Sequence, residues 1–168
     1  MTPSLYWIEG PWPGRLAISA RPRGGDWIED EVGGWRAAGV QTVVSLLEPD
    51  EESQLEIGRE GPIVRQNGMR FSSFPIVDRG VPDALPAAVQ FLSDLKRALE
   101  SGEVVAVHCR QGIGRSALVA TGLLVLAGLP VQEALQRVSA ARGLPVPETS
   151  EQHDWISKLA REHEFAPR

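Results

Sequence analysis

The chain is short of the residues that build covalent or metal-linked scaffolds. Its 168 residues include one cysteine and three histidines. One cysteine excludes an internal disulfide, and so few soft ligands do not readily form a closed structural zinc site, which requires four. A single unpaired cysteine is typical of proteins from reducing compartments. The sequence therefore predicts a cytoplasmic protein that uses no metal and no cofactor.

The sequence also lacks a long apolar run and an excess of positive charge. Its longest apolar stretch, residues 117–129, spans 13 residues, whereas a membrane-spanning helix needs about 20. Lys and Arg number 17 against 22 Asp and Glu, which gives a net charge of −5. The opening MTPSLYWIEG has neither a basic residue nor the apolar run of a targeting segment. We therefore expect no membrane insertion and no nucleic-acid partner.

Glycine and proline, 17 and 13 residues, divide the rest into short alternating segments. Aliphatic runs predict strands at 15–19, 41–47, 70–77 and 103–107. Helical periodicity predicts helices at 27–38 after the N-cap Asp26, then at 50–59, 83–100, 115–127, 131–142 and 150–162. Strands that alternate with helices indicate one α/β domain over residues 1–168. We expect a central, largely parallel twisted sheet of four to five strands flanked by helices.

The most informative segment is VVAVHCRQGIGRSALVA at residues 104–120, where a buried strand leads into His108 and Cys109, then a glycine-containing loop and a buried helix. At such a junction the unpaired amide N–H groups and the helix dipole attract an anion. A thiol placed there should also ionise more easily. The sequence therefore predicts an anion-binding loop between the last strand and the central helix.

Two glycines and an arginine make phosphate the expected anion. Gly112 and Gly114 can adopt the positive φ angles that curl successive amides into a nest. Arg115 adds a planar, permanently charged fork that suits two phosphate oxygens. A lone cysteine after a strand is by default a small buried apolar residue. A cysteine six residues before this arginine, with the glycines between them, instead favours a reactive site.

The segment HCRQGIGRS resembles the His-Cys-x5-Arg-Ser/Thr signature of the protein tyrosine phosphatase superfamily. Within this superfamily the chain resembles the dual-specificity phosphatases, because it is short, has an Asp-containing loop before the signature and has the sequence ETSEQ after it. A domain of that type would cover nearly the whole chain. The resemblance implies that Cys109 is the nucleophile and that the Ser116 hydroxyl stabilises its thiolate as a leaving group. It implies that His108 supports the loop and the thiolate through hydrogen bonds. The implied phosphate cradle consists of the Arg115 side chain and of the backbone amides of Arg110, Gln111, Gly112, Ile113, Gly114 and Arg115.

A phosphate monoester also needs an acid that protonates the departing oxygen. The loop FPIVDRGVPD offers two aspartates. Asp78 lies on a loop able to close over the phosphate and matches the Pro-x-x-Asp position that the resemblance implies after Pro75. Asp83 precedes an apolar-periodic run, so we interpret it as a helix N-cap. We therefore expect Asp78 to act first as acid and then as base, with a bell-shaped dependence of activity on pH.

Other polar residues have two open interpretations. Gln152 can position the attacking water, as in some members of the family, or it is a first-turn residue of a helix capped by Thr149 or Ser150. Glu48 can contact substrate or an active-site arginine, or it is an acidic residue of a helix start. Arg142 and Gly143 are expected to end a helix. Arg79 can help to hold the substrate, or it is a solvated arginine of an exposed loop. Arg21 or Arg23 is a candidate for the border of the pocket.

Taken together, these features predict a monomeric phosphatase that acts on phosphate monoesters through a phosphocysteine intermediate. The expected partner is a phosphorylated protein or peptide, with phosphotyrosine favoured and phosphoserine or phosphothreonine as further substrates. Gln111 and Ile113 are neutral, whereas relatives that act on inositol lipids often carry lysines in this loop. The alternatives are a non-catalytic phosphopeptide-binding module and a sulfurtransferase. The Cys-x5-Arg-Ser spacing and Asp78 argue against both.

Overall fold

The computed structural model describes residues 4–164, which form a layered α/β structure. Its strands are β1 (Tyr6–Ile8), β2 (Arg15–Ser19), β3 (Thr42–Ser45), β4 (Arg70–Ser73) and β5 (Val104–His108). Its helices are α1 (Ile28–Ala37), α2 (Pro49–Gln54), α3 (Glu60–Gln66), α4 (Leu85–Glu100), α5 (Arg115–Leu126), α6 (Val131–Arg142) and α7 (Ser150–Glu164), with a 3₁₀ turn at Gly25–Trp27. None of the helices within 4–164 is long and apolar enough to cross a bilayer.

The five strands form one sheet in the order β1-β2-β5-β3-β4. Strands β2, β5, β3 and β4 run parallel, whereas β1 pairs antiparallel with β2 at one edge. The central strands are continuous aliphatic runs, as expected for strands covered on both faces. The predicted α/β architecture with a largely parallel sheet of four to five strands is therefore confirmed. The sequence analysis did not predict β1, a strand of only three residues.

Alternating side chains of the sheet pack into two separate hydrophobic cores, one on each face. On one face, Val43 and Ala106 pack with α1 and α3. On the other face, Val44 and Val107 pack with α4, α5, α6 and α7. Helix α5 lies at the centre of this second layer, and all twelve of its residues are buried. A helix that is apolar on all sides requires such a position, and it fixes the loop that precedes it.

Three local predictions were wrong. The helix expected at 50–59 ends early, at Gln54, because Glu56 adopts a left-handed conformation with a φ of +56° and its carbonyl accepts a hydrogen bond from the Gly25 N–H at 2.9 Å; helix α3, at Glu60–Gln66, was not predicted. Asp26 lies inside the 3₁₀ turn rather than at the N-cap of α1. Asp83 is not the N-cap of α4, since the helix begins at Leu85 after Ala84, with a proline in its first turn.

Candidate active site

The site lies where three parallel strands end. Ser19 of β2 and Ser45 of β3 are both in register with His108, the last residue of the central strand β5. The loops after these strands therefore meet at one edge of the sheet, where open parallel sheets bind their ligands. From His108 the chain passes through the loop 109–114 directly into α5. This loop thus begins on a rigid strand and ends on a buried helix.

Cys109 lies at the base of this loop and is only 3% exposed. Its Sγ is 3.2 Å from the Ser116 Oγ and accepts a hydrogen bond from the Gly112 N–H at 3.3 Å. Burial raises the pKa of the thiol, but the hydrogen bonds from Ser116 and Gly112 and the charge of Arg115 outweigh burial and lower the pKa below its usual value. The structure therefore holds a thiol that ionises readily in a buried place.

The two loop glycines serve different purposes. Gly112 has a φ of +74°, as expected for a nest of amides. The prediction of a positive φ was wrong for Gly114, whose φ is −116°. Gly114 is needed for space instead, because a Cβ there would lie 2.7 Å from the Glu148 Oε1 and 3.2 Å from the Gln152 Nε2.

The variant Gly112→Ala should disturb the loop more than its φ angle alone explains. A left-handed alanine costs about 1–2 kcal/mol, and the added Cβ would also lie 3.0 Å from the backbone carbon of Ser19. The control Gly102→Ala has a similar φ of +95° but open space around the new Cβ. Urea unfolding should show a larger loss of stability for Gly112→Ala, and only this variant should lose affinity for vanadate. Equal losses of both properties in the two variants would contradict the expected contact with β2.

Arg115, the first residue of α5, is held in a fixed orientation by a carboxylate from α2. Its Nη1 donates to the Glu51 Oε2 at 2.7 Å and to the Ile76 carbonyl at 2.9 Å. Its Nη2 donates to the Glu51 Oε1 at 2.9 Å. Burial would lower the pKa of Arg115, but the contact with Glu51 raises it. Burial would raise the pKa of Glu51, but the hydrogen bonds from Arg115 and from the Glu48 amide lower it. A planar fork bound at two points cannot rotate freely.

Glu51 is a site residue that the sequence analysis missed in favour of Glu48. Glu48 is the N-cap of α2, and its side chain forms a capping box with Glu51. The Glu51 Oε2 accepts the Glu48 N–H at 2.9 Å as well as the bond from Arg115. The pattern of an acidic residue three positions after a capping residue was present in the sequence. Its contact with Arg115, 64 residues away, was not readable from that pattern.

Asp78 reaches Arg115 from the loop after β4. Its Oδ1 is 3.1 Å from the Arg115 Nη2, while its side chain remains 48% exposed. Its neighbour Arg79 has a φ of +61° and lies 3.5 Å from the Glu148 carboxylate across the cleft. Asp83 lies further along, two residues before α4. Of the two aspartates, Asp78 is the one that the structure places beside Arg115.

Gln152 is fully buried and links α7 to the Asp78 loop. Its Oε1 accepts the Thr149 N–H at 3.3 Å, while the Thr149 Oγ1 accepts the Gln152 N–H at 3.2 Å. This reciprocal pair is a capping box, so the cap expected at Thr149 or Ser150 is Thr149. The Gln152 Nε2 donates to the Gly80 carbonyl at 3.1 Å. Gln152 therefore holds the loop that carries Asp78.

The remaining arginine candidates fall into different places. Arg142 lies at the end of α6, where Gly143 adopts the left-handed cap predicted for it. Arg142 also donates to the carbonyls of Gly112 and Gln111 at 3.0 and 3.3 Å, a contact that the sequence analysis missed. Arg21 meets the loop through its backbone, since its N–H donates to the Arg110 carbonyl at 3.2 Å. Arg23 pairs with Glu31 of α1 and lies 4.3 Å above the ring of Trp27.

His108 lies behind the cysteine. Its Nδ1 is 3.2 Å from the Cys109 carbonyl oxygen, and its Nε2 is 2.6 Å from the Glu60 Oε1. Burial would lower the pKa of His108, but the charge and hydrogen bond of Glu60 raise it overall. Glu60, the first residue of α3, is a further residue that the sequence analysis missed.

These groups surround a cleft of about 130 Å³. Of the predicted cradle, Arg110, Gln111, Ile113, Gly114 and Arg115 line the cleft with Cys109, and Asp78, Arg79 and Glu148 complete its wall. Gly112 lies against β2 and contacts the sulfur from within the loop. Across residues 4–164, no group of three or more His, Cys, Asp or Glu side chains could hold a metal ion. The arrangement combines an ionisable nucleophile, a fixed cation and a carboxyl group around one small polar space.

Known proteins share this fold and this arrangement of the chain. The kinase associated phosphatase, with its catalytic-site cysteine substituted by serine, superposes with a TM-score of 0.90 over 99% of both chains at 19% identity. The active form of Tk-PTP superposes with a TM-score of 0.78 at 28% identity, over 95% of this chain and 97% of its own. Cyclin-dependent kinase inhibitor 3 of Homo sapiens is 25% identical over 132 residues, which cover 77% of this chain and 59% of that protein.

The chain spans between 56% and 59% of the length of the curated relatives that it matches. A family model, described as the Swiss Army Knife protein DSP-PTPase phosphatase domain, matches residues 3–162, nearly the whole chain. The protein therefore belongs to this family of dual-specificity and tyrosine phosphatase domains.

Proposed function

We propose that this protein hydrolyses phosphate monoesters on proteins through a phosphocysteine intermediate, with phosphotyrosine as the main substrate and phosphoserine or phosphothreonine as further ones. The observation that carries the proposal is the Cys109 thiol, whose pKa is lowered where it lines a cleft with Arg115 and Asp78. Covalent catalysis by cysteine requires such an activated thiol beside an acid–base group.

In the first step the Cys109 thiolate attacks phosphorus, and the bond from phosphorus to the leaving oxygen breaks. The Asp78 carboxyl group gives its proton to that oxygen, so an alcohol or phenol departs. In the second step water attacks the phosphocysteine, and the Asp78 carboxylate accepts its proton. The phosphorus–sulfur bond then breaks, which releases phosphate and restores the Cys109 thiolate.

Arg115 binds the equatorial phosphate oxygens in this scheme. Its Nη groups are already bonded to Glu51, Ile76 and Asp78. A phosphate would therefore be held by the Nε–H of Arg115 and by the Nη2 N–H that donates a hydrogen bond to Asp78 in this structure. That exchange frees Asp78 to turn toward the leaving oxygen. The loop amides from Arg110 to Arg115 supply the other donors, as at other helix N-termini.

The charge of the cleft favours a phosphoprotein over an inositol lipid. The loop positions Gln111 and Ile113 are neutral, and Glu148 pairs with Arg79 across the cleft. The loop therefore lacks the additional lysines that are common in relatives acting on inositol lipids. The name of the similar kinase associated phosphatase also supports a substrate connected with protein phosphorylation. The monomeric state and cytoplasmic location expected from the sequence stay predictions.

The variant Ser116→Ala should slow the second step more than the first. The Ser116 Oγ lies 3.2 Å from the Cys109 Sγ, and a hydrogen bond to a charged group contributes about 1.5–3 kcal/mol. We therefore expect the breakdown of phosphocysteine to slow by about 10- to 100-fold. Rapid-quench kinetics with an activated aryl phosphate should then show a burst of phenol followed by slow turnover. A uniform loss of both phases would contradict a role in stabilising the leaving thiolate.

The proposed function is tested by the turnover of matched phosphotyrosine and phosphothreonine peptides. Protein alkylated at Cys109 with iodoacetamide serves as the blank. Phosphate release that the blank lacks supports the proposal, and the ratio of the two kcat/KM values gives the tyrosine preference. Tight binding without release would favour a phosphopeptide-binding module, and sulfur transfer from thiosulfate would favour a sulfurtransferase. Release from phosphoinositides alone would move the substrate to lipids.

A further inference from the structure

A buried acid and a buried imidazole lie in contact directly behind the nucleophile. The Glu60 side chain is 2% exposed and that of His108 is 1% exposed, and their Oε1 and Nε2 atoms are 2.6 Å apart. Buried carboxylates are rare unless they are paired. Glu60 comes from α3, on the opposite side of the sheet from α5. Its position therefore connects a layer outside the cleft to the base of the active site.

The hydrogen-bonding geometry matches a charged imidazole. The Nδ1 faces the Cys109 carbonyl oxygen at 3.2 Å, and that oxygen can only accept a proton. The Nε2 faces a carboxyl oxygen at 2.6 Å. If Glu60 is ionised, this oxygen also only accepts, so each ring nitrogen must carry a hydrogen. A histidine with both hydrogens is a cation.

The surroundings of the ring favour a charged imidazole. The charge and the hydrogen bond of Glu60 raise the pKa of His108 against its burial. The Trp35 ring of α1 stacks on His108 with 5.7 Å between ring centroids, a contact that also favours a cation. Cys109 and Glu52 are the other charged groups that interact with the His108 ring. Both attract an imidazolium when they are ionised.

We propose that Glu60 is a positioning residue that keeps His108 in its cationic form, so that a positive charge lies behind Cys109 and stabilises its thiolate. The inference rests on the proposed role of Cys109 as the nucleophile. The Glu60 Oε2 is buried without a hydrogen-bond partner among residues 4–164. The contact of Oε1 with the His108 Nε2 is therefore the side-chain hydrogen bond through which this carboxyl group acts.

The test is Glu60→Gln, which keeps the size and a hydrogen bond. The glutamine amide can donate a hydrogen bond to the Nε2 of a neutral His108, while the His108 Nδ1–H still donates to the carbonyl oxygen of Cys109. The rate of alkylation by iodoacetamide, measured against pH, reports the thiolate directly. We expect the midpoint of the alkylation rate against pH to rise by about one pH unit in Glu60→Gln. At pH values below the midpoints of both proteins, the variant should then be alkylated about tenfold more slowly than the native protein. The matched control is Glu31→Gln, which removes another buried carboxylate, paired with Arg23, and should leave the midpoint unchanged.

An unchanged midpoint in folded Glu60→Gln would overturn the proposal, and so would an equal rise in Glu31→Gln. If Glu60→Gln does not fold, nitrogen-15 NMR of histidine in the native protein decides instead. Both ring nitrogens of His108 should carry protons at pH 7.5, and a neutral imidazole would refute the proposal. Neither measurement requires turnover. Failure of the peptide assay would therefore be distinguishable from failure of this inference.

Discussion

The variant Cys109→Ser will lose phosphate release by about 10⁴-fold or more while it keeps the fold. The Sγ of Cys109 ionises because Ser116, Gly112 and Arg115 stabilise its negative charge. A serine hydroxyl is far less acidic, so the same contacts cannot convert it into an anion near neutral pH. Initial rates with a phosphotyrosine peptide, compared with the native protein, measure the loss.

Binding provides the control for this variant. The serine Oγ can accept the Gly112 N–H in place of the sulfur, and Glu51 holds the Arg115 fork. Cys109→Ser should therefore still bind the phosphopeptide in calorimetry. Retained turnover above about one hundredth of the native rate would contradict a covalent role for the sulfur. Loss of binding together with turnover would point to a disrupted loop rather than to a missing nucleophile.

The second large effect is expected for Asp78→Asn. Asparagine has nearly the same shape, and its Oδ1 can still accept the bond from the Arg115 Nη2, so the loop should stay in place. Without a proton donor, kcat for phosphothreonine should fall by about 10²–10⁴-fold. The loss for p-nitrophenyl phosphate should be much smaller, since its leaving group needs little protonation. The matched control is Asp83→Asn, which should leave both rates unchanged.

The same variant should change the dependence of the rate on pH. In the proposed mechanism the rate should rise with pH as the Cys109 thiolate forms, and should fall once the acid that protonates the leaving oxygen has lost its proton. Because the pKa of Cys109 is lowered, the rising limb should lie at a pH below that at which an ordinary cysteine ionises. Asp78→Asn should lose the alkaline fall, so that its rate rises with pH to a plateau. An unchanged profile would contradict the acid role of Asp78.

The phosphate loop was predictable because its parts are neighbours in the sequence. Cys109, Gly112, Arg115 and Ser116 lie in one short segment, residues 109–116, that runs from the end of β5 into the first turn of α5, so their spacing alone determines that they share a small volume. The groups that orient them come from distant segments. Glu51 lies 64 residues from Arg115, and Glu60 lies 48 residues from His108. No local pattern contains such contacts, which depend on how the strands are ordered in the sheet.

The same reason explains the local errors. The interruption between α2 and α3 follows from Glu56, whose carbonyl pairs with Gly25 from a separate loop. The short strand β1 exists because β2 offers it an edge. Helix α4, whose apolar period is strong, needed no such partner and ends at Glu100 as predicted, and α6 also has the bounds that its sequence predicts. Propensity thus determined the elements that pack along their length, and tertiary contacts determined the others.

Helix α5 has a consequence for how this domain can be altered. Since each of its residues is buried, a substitution on it affects the core, and beyond Arg115, which lines the cleft, the helix contributes no residue to the wall where a new specificity could evolve. Variation that changes the substrate should instead accumulate in the loops around the cleft, at 20–27, 77–84 and 144–149. An engineer who seeks new substrates would randomise those three loops and leave α5 as it is.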